Sequence, residues 1–228
     1  MHGILSDVAA LGISVGLIGL YHLYIWIRQR RTPFYTTQAV NHDVRAEWVR
    51  WIHDDESRSI LAIQTLRNST MAATFLASTA VLLMMGTLNL MQQADKLSGI
   101  LVSAGMPDPE GSALWLTKML FLVADYFIAF FCFAMSVRLY NHVGYQINVP
   151  ADPRKEYRDV NYVLGQMKNA GRYYTLGMRA YYISVPFVFW IFGAHLMVIT
   201  SILLVFVLFV NDRAPQQKNR KAGPRKKA

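Results

Sequence analysis

The stretch from residue 180 to residue 210 reads AYYISVPFVFWIFGAHLMVITSILLVFVLFV and contains no Asp, Glu, Lys or Arg. A helix needs about 20 apolar residues to cross the roughly 30 Å hydrocarbon core of a bilayer. At 31 residues, this stretch is about ten residues longer than one crossing requires. A single helix over it must tilt, protrude into water or break, and Pro186 and Gly193 are the residues at which a break costs least.

Three shorter apolar stretches precede it, and each has the length of one crossing. They lie near residues 4–27, 70–90 and 114–137. No Lys or Arg precedes the first stretch and three arginines follow it, which is the reverse of the order in a signal peptide. The chain is 54% hydrophobic and 16% charged, whereas soluble domains are about 25% charged. We therefore predict an all-α integral membrane bundle with four transmembrane helices over residues 1–212, followed by a basic tail over residues 213–228.

The Lys and Arg residues between the stretches predict the orientation. Seven lie in residues 28–67 and seven in residues 138–179, whereas only Lys96 and Lys118 lie around the middle loop. Basic loops stay in the cytoplasm, so we predict that both basic loops are cytoplasmic and that the N-terminus is outside. The tail contains seven more Lys and Arg residues. Four crossings would place this basic tail outside, which disagrees with the rule that basic segments stay in the cytoplasm. A fifth crossing, made by splitting residues 180–210, is the alternative, but 31 residues are too few for two full crossings.

The remaining composition excludes several classes of function. The net charge of +9 lies in clusters beside the apolar stretches, as at a membrane surface, and not over one face of a nucleic-acid-binding domain. The single cysteine, Cys132, cannot form a disulfide within the chain. The sequence has no glycine-rich phosphate loop, no nucleophile motif and no histidine pair at metal-binding spacing. We therefore expect no enzyme activity, no metal, no cofactor and no nucleic-acid partner.

The two basic loops contain apolar residues at helical spacing. In the first loop these are Val44, Trp48 and Ile52, with Trp51 beside them, and in the second they are Val160, Val163, Leu164 and Met167. Asp152 and Pro153 are the candidate N-cap and first residue of the second helix. We predict amphipathic helices that lie in the membrane interface on the cytoplasmic side. A cytoplasmic docking surface is the alternative.

Asp125 lies near the middle of the third crossing, where an ionised carboxylate costs about 2.5–3.5 kcal/mol on insertion scales. Lys118, Asp125 and Cys132 are seven residues apart, and Ser136 follows one turn later, so this helix face should point into the bundle. His195, near mid-depth in the last crossing, is a candidate partner for Asp125. Such a pair would handle protons or ions. Alternatively, a neutral or paired carboxyl group holds helices together.

Small residues follow one face of the first and second crossings. They are Ala9, Gly12, Gly16 and Gly19 in the first and Ala73, Ala77 and Ala80 in the second. Such faces let helix backbones approach closely in lipid. We expect both to pack against other helices, either within the chain or in another subunit.

Four strings of residues together resemble a known family. They are QTLRN at 64–68 with MA at 71–72, RLYNH at 138–142, GMRA at 177–180 before Pro186, and FWIFG at 189–193. Over about residues 21–212, the chain resembles the bacterial and plant membrane family known as domain of unknown function 599. The resemblance implies a four-span membrane protein with no assigned activity. We expect the protein in the inner (plasma) membrane of a bacterium.

The matched strings contain polar residues at the cytoplasmic ends of the predicted crossings. They are Arg67, Asn68, Arg138, Asn141, His142 and Arg179. We predict that these residues form one polar cluster. The alternative is that the arginines reach separately to lipid phosphates.

These features favour a non-catalytic accessory or scaffold subunit of a larger membrane assembly. Its small-residue faces, interfacial helices and tail suit contacts with other membrane subunits or with a second copy of the chain. We expect the basic tail to bind an acidic partner or anionic lipid head groups. The alternative is a small proton- or ion-coupled transporter or channel that works through Asp125 and His195.

Overall fold

A computed structural model describes residues 2–93, 99, 103, 112–149 and 159–214 of the chain. Within this part the chain forms six long helices and one short 3-10 turn, with a single β-bridge between Thr36 and Arg213. The helices are α1 (His2–Arg31), α2 (Thr37–His53), α3 (Ser59–Gln92), α4 (Ser112–Gln146), α5 (Val160–Phe192) and α6 (Ala194–Asn211), and the 3-10 turn is Glu56–Arg58. The prediction of an all-α chain is confirmed.

Five of these helices, all except α2, are long and apolar enough to cross a membrane. The five candidate spans are Leu5–Arg31, Ser59–Gln92, Leu114–Gln146, Val160–Phe192 and Ala194–Asn211. The prediction of membrane-spanning helices agrees with this finding. The prediction of four crossings is not confirmed.

The difference arises in the overlong apolar stretch, which divides at Gly193 into the end of α5 and the whole of α6. Gly193 has φ 157° and ψ 150°, a conformation that is open essentially only to glycine. Pro186 lies inside α5 and does not end it. The 31 residues suffice for parts of two long helices because α5 begins at Val160, twenty residues before the apolar stretch.

α5 and α6 form an antiparallel hairpin, since Nη2 of Arg179 in α5 lies 3.4 Å from Oδ2 of Asp212, the residue after α6. The chain then meets the connection between α1 and α2. The Thr37 N–H donates to the Asp212 carbonyl (N···O 3.0 Å), and the Ala214 N–H donates to the Tyr35 carbonyl (3.1 Å). The end of the described chain therefore lies at the same end of the bundle as the first basic loop. Four crossings would have put these two segments at opposite ends.

α1 packs on α6 and runs in the same direction. Ala10 shares a buried cluster with Met197. Tyr21, eleven residues further along α1, shares another with Leu208, eleven residues further along α6. α6 in turn packs on α5, α5 on α4 and α4 on α3. The helices are therefore arranged in the order α1, α6, α5, α4, α3.

At the end of the bundle that carries the first basic loop, α2 and the extended ends of three other helices enclose a separate apolar core. α3, α4 and α5 have 34, 35 and 33 residues, so each is about 50 Å long and exceeds a hydrocarbon core of about 30 Å. The core consists of Val49, Ile52, Ala62, Leu66, Tyr140, Val143, Ile147, Val163, Met167 and Ala170.

This core contains part of both segments that the sequence predicts as interfacial helices, and a position in the membrane interface is not confirmed. Ile52, Val163 and Met167 are buried in the core, Trp48, Val160 and Leu164 pack against it, and Val44 and Trp51 are exposed. The predicted helix start at residues 152 and 153 lies outside the described residues. The N-cap of α5 is Asp159, whose carboxylate accepts a hydrogen bond from the Asn161 N–H.

The hairpin makes a testable prediction about sidedness. Because Cys132 is the chain's single cysteine, exposed cysteines can be introduced one at a time into a Cys132→Ser background. Asn41→Cys and Arg213→Cys, at exposed positions, should react with a membrane-impermeant thiol reagent from one face of the membrane, and Gly99→Cys from the other. The measurement is labelling in right-side-out and inverted vesicles. Labelling of the residue 213 cysteine from the same face as the residue 99 cysteine would contradict the hairpin.

Candidate functional site

A buried cluster, here named the Asp7 cluster, joins α1, α4 and α5 through Asp7, Lys118 and Trp190. Oδ1 of Asp7 accepts a hydrogen bond from Nε1 of Trp190 (2.7 Å) and lies 3.0 Å from Nζ of Lys118. Asp7 is 6% exposed and Lys118 is 8% exposed. The sequence analysis identified Lys118 but not its partner. The sequence does contain an indication of this partner, because Asp7 is the single carboxylate in the first apolar stretch.

A second cluster, the Asp212 cluster, joins α1, α5 and the residue after α6. The Tyr21 hydroxyl donates to Oδ2 of Asp212 (2.7 Å), and the Arg179 guanidinium donates to the same oxygen (3.4 Å). Asp7 and Tyr21 are fourteen residues apart in α1, which corresponds to about 21 Å along the helix. The two clusters therefore lie at opposite ends of the apolar part of this bundle.

Asp125 lies in α4 between the two clusters. Together with Lys118, Cys132 and Ser136 it is buried, as the seven-residue spacing predicts. Oδ2 of Asp125 has no hydrogen-bond partner among the described residues. His195 is exposed on the first turn of α6. Within the described part of the chain, no hydrogen bond or ion pair joins Asp125 to His195, so their pairing stays a prediction.

Ser14 in α1 is a second buried polar residue at the depth of Asp125. Ser14 follows Asp7 by seven residues, as Asp125 follows Lys118. Since both helices run from the Asp7 cluster, both side chains lie about 10 Å from it. Oγ of Ser14 is also buried without a hydrogen-bond partner. The middle of the bundle therefore contains two buried oxygens that accept no hydrogen bond from any described residue.

The structure places the six polar residues predicted to form one cluster at several positions. Arg67 and Asn141 line a groove between α3 and α4. Arg179 belongs to the Asp212 cluster, and the remaining three, Asn68, Arg138 and His142, are exposed. In the residues that the structure describes, no hydrogen bond or ion pair joins any two of the six.

A cavity of about 630 Å³, here named the basic cavity, lies between α2, α5 and α6. Its charged lining residues are Arg45, Lys168, Arg172, Arg179 and Asp212. Of the four cations, only Arg179 forms an ion pair within the described chain. The sequence analysis did not identify this site. The available signal was that Lys168, Arg172 and Arg179 recur at i, i+4 and i+11, which places them on one helix face.

α2 contributes His42 and Arg45 to the lining of the basic cavity. Nε2 of His42 is buried and has no hydrogen-bond partner in the part of the chain that the structure describes. Burial lowers the pKa of His42, and the positive charges of Lys168 and Arg45 lower it further, while Asp43 opposes them. The Arg45 side chain passes directly over Gly171, where a Cβ would lie 3.2 Å from Cζ of Arg45 and would overlap Nη1. The absence of a side chain at residue 171 therefore allows Arg45 to reach the cavity.

Comparison with known families gives one match, which covers most of the chain. A family model described as "Protein of unknown function, DUF599" matches residues 9–217. The chain belongs to this family. The match confirms the resemblance and extends it to most of α1. No curated protein and no solved structure matches the chain.

In this DUF599 protein, two glycines of the strings that carry the resemblance have identifiable structural roles. Gly193 ends α5, and Gly177 allows α5 to approach α4, because a Cβ there would lie 2.8 Å from the ring of Phe133. In the described residues, no three His, Cys, Asp or Glu side chains lie close enough together to hold a metal ion.

The Asp7 cluster makes a prediction about stability. Asp7→Ala leaves the Lys118 ammonium buried without its counter-charge, and we expect the free energy of unfolding to fall by roughly 3–5 kcal/mol. Adding Lys118→Met removes both charges and should recover part of this loss. Unfolding in detergent measures both changes, with Asp43→Ala at an exposed position as the control. An equal loss in the single and the double variant would show that the ion pair is not the cause.

Proposed function

We propose that this DUF599 protein is a non-catalytic accessory or scaffold subunit of a larger membrane assembly. The observation that supports this role is the small-residue face of α1. Gly12, Gly16 and Gly19 are exposed, and a Cβ built on any of them meets nothing within 4 Å. The face is therefore open to a helix from another membrane subunit or from a second copy of the chain.

The second predicted small-residue face provides a contrast within the same chain. Ala73, Ala77 and Ala80 of α3 are buried, and α3 packs closely on α4. By contrast, α1 packs on α6 through Ala10 and Tyr21, which lie on a different face of α1 from its small residues. Small faces promote helix association in lipid because backbones can approach closely. An unused face of this kind in α1 supports contact with a partner.

The hairpin and the charge rule together support an orientation. The described parts of residues 28–67 and 138–179 and residues 213 and 214 lie at the end of the bundle where residue 214 meets Tyr35, and residues 215–228 follow in the sequence. These three segments contain 21 of the 23 Lys and Arg residues. The positive-inside rule supports a cytoplasmic position for this end and an external N-terminus, in a bacterial inner (plasma) membrane. The tail would then meet an acidic partner or anionic head groups on the cytoplasmic side.

Helix association through α1 is tested by blocking its open face. In the double variant Gly12→Ile with Gly16→Ile, the branched side chains keep the backbone of a partner helix away. After mild purification from the native membrane, we expect about tenfold less bound partner or second copy than in the wild type. This loss corresponds to about 1.4 kcal/mol of association free energy. Quantitative mass spectrometry and size-exclusion chromatography measure the loss. Gly86→Ile, at an exposed and equally open position in α3, is the matched control. A wild-type protein recovered alone as a monomer would contradict the accessory role.

A second candidate function, a proton- or ion-coupled transporter or channel, is favoured by the unpartnered Oδ2 of Asp125 at mid-depth. In proteoliposomes that contain a pH-sensitive dye, Asp125→Asn should reduce proton flux to the level of protein-free liposomes. His195→Gln should slow the flux, while Asp43→Asn should leave it unchanged. Wild-type proteoliposomes that show no flux above protein-free ones would eliminate this function.

A further inference from the structure

We propose that the basic cavity binds the phosphate-bearing head group of an anionic lipid. The proposal goes beyond the accessory role, which needs contacts between helices but no lipid site. Three observations carry it: the excess of positive charge, an unsatisfied buried nitrogen, and an apolar wall at the membrane end of the cavity.

The charge excess consists of Arg45, Lys168 and Arg172. The single carboxylate in the lining, that of Asp212, is already bonded to Arg179 and to a tyrosine of α1. The other three cations form no ion pair within the described residues. Cations that share a cavity repel one another, and a phosphate group can accept charge-assisted hydrogen bonds from several of them at once.

The unsatisfied nitrogen is Nε2 of His42. It is buried, faces the same cavity and has no hydrogen-bond partner within residues 2–93, 112–149 and 159–214. A buried polar atom without a partner is costly, and a phosphate oxygen is an acceptor for an imidazole N–H. Burial lowers the pKa of His42, and the positive charges of Lys168 and Arg45 lower it further. A bound anion would offset these charges, so the His42 imidazolium reports on occupancy.

The apolar wall distinguishes a lipid from a soluble anion. Met178, Leu204, Val207 and Leu208 line the side of the cavity that belongs to the apolar hairpin. Arg179 lies where this hairpin ends, beside Asp212. Arg172 and Lys168 follow seven and eleven residues away from it along α5, or about 10 and 16 Å towards the end of the cavity that faces away from the apolar hairpin. A lipid needs this arrangement, with a phosphate at the surface and acyl chains along apolar helices, and basic pockets between membrane helices bind such head groups. A soluble phosphate gains nothing from the apolar wall.

Lipid binding is measured on the full chain in a neutral maltoside detergent after removal of native lipid. The probes are dioleoyl phosphatidylglycerol, dioleoyl phosphatidylcholine and inorganic phosphate. We expect phosphatidylglycerol to form a one-to-one adduct with the protein in native mass spectrometry. It should also raise the pKa of His42, measured from the ring-proton NMR signal that disappears in the His42→Gln variant. Phosphatidylcholine and inorganic phosphate should do neither at the same concentration.

The charge requirement is tested by Arg45→Gln, Lys168→Gln and Arg172→Gln in one protein. We expect phosphatidylglycerol to bind roughly 100-fold more weakly, or about fivefold for each cation. The matched control changes three arginines outside the cavity to glutamine and lowers the net charge by the same amount. These are Arg31, Arg50 and Arg138, all exposed. The control should change binding by less than about threefold, because exposed charges are screened by salt.

The geometry is tested without any change of charge. Gly171→Ala puts a methyl group where the Arg45 guanidinium lies, so Arg45 must move and phosphatidylglycerol should bind about fivefold more weakly, the effect of one cation. Gly165→Ala, on the same helix with nothing within 4 Å of its Cβ, should bind as the wild type does. This pair keeps the proposal testable if the triple variant fails to fold.

Three results would overturn the proposal. Equal weakening by the two triple variants would show general attraction to a basic surface. Equal binding of phosphatidylglycerol and phosphatidylcholine would show that the head-group charge is not recognised. Binding of inorganic phosphate that depends on Arg45, Lys168 and Arg172, without binding of the lipid, would assign the cavity to a soluble anion.

Discussion

Gly193 adopts φ 157° and ψ 150°, and the apolar stretch reverses direction there. The constraint lies in the backbone and not in the space around it, because a Cβ at this residue would meet nothing within 4 Å. As a result of the reversal, α6 runs back along α5 and beside α1, and Asp212 reaches both Arg179 and Tyr21. The same reversal supplies the α6 wall of the basic cavity. The hairpin, the sidedness of the chain end and the proposed lipid site all depend on this one residue.

The polar groups inside the bundle differ in how they are satisfied. The Asp7 carboxylate binds Lys118 and Trp190 and so joins three helices at one depth. Taking one partner away leaves a charge that neither lipid nor apolar side chains can compensate. Asp125 and Ser14, about 10 Å deeper, each have a buried oxygen without a partner. The Asp7 carboxylate therefore joins helices, whereas the oxygens of Asp125 and Ser14 join none among the described residues.

The two ends of the molecule also differ in construction. One end closes around the Asp7 cluster. At the other, α3, α4 and α5 extend beyond the apolar hairpin and bury a second core with α2. The packing of α2 on α5 brings His42 and Arg45 to the cations of α5. α2, which the sequence predicts to lie in the membrane interface, therefore forms one side of a cavity whose other side is the end of the apolar hairpin.

Composition and local periodicity are sufficient to determine that the chain is helical and suited to a membrane. They also predict that Asp125 faces the bundle and that Ala77 packs on another helix, because both properties depend on residues a few positions apart. Sequence alone did not determine the number of candidate spans. Both Pro186 and Gly193 are candidate breaks. The polar residues between Met167 and residue 180 concealed that the predicted second amphipathic helix continues into the apolar stretch as α5.

The tertiary structure decided which groups meet. Periodicity identifies the polar face of α4 but not the helix opposite it, so the partner of Lys118 became visible only when α1 was placed beside α4. The basic cavity has the same origin. Lys168 and Arg172 share one face of α5 by spacing, but Arg45 joins them only because α2 packs over Gly171. Local physics sets each helix and its faces, whereas contacts between residues more than a hundred positions apart depend on how the whole chain packs.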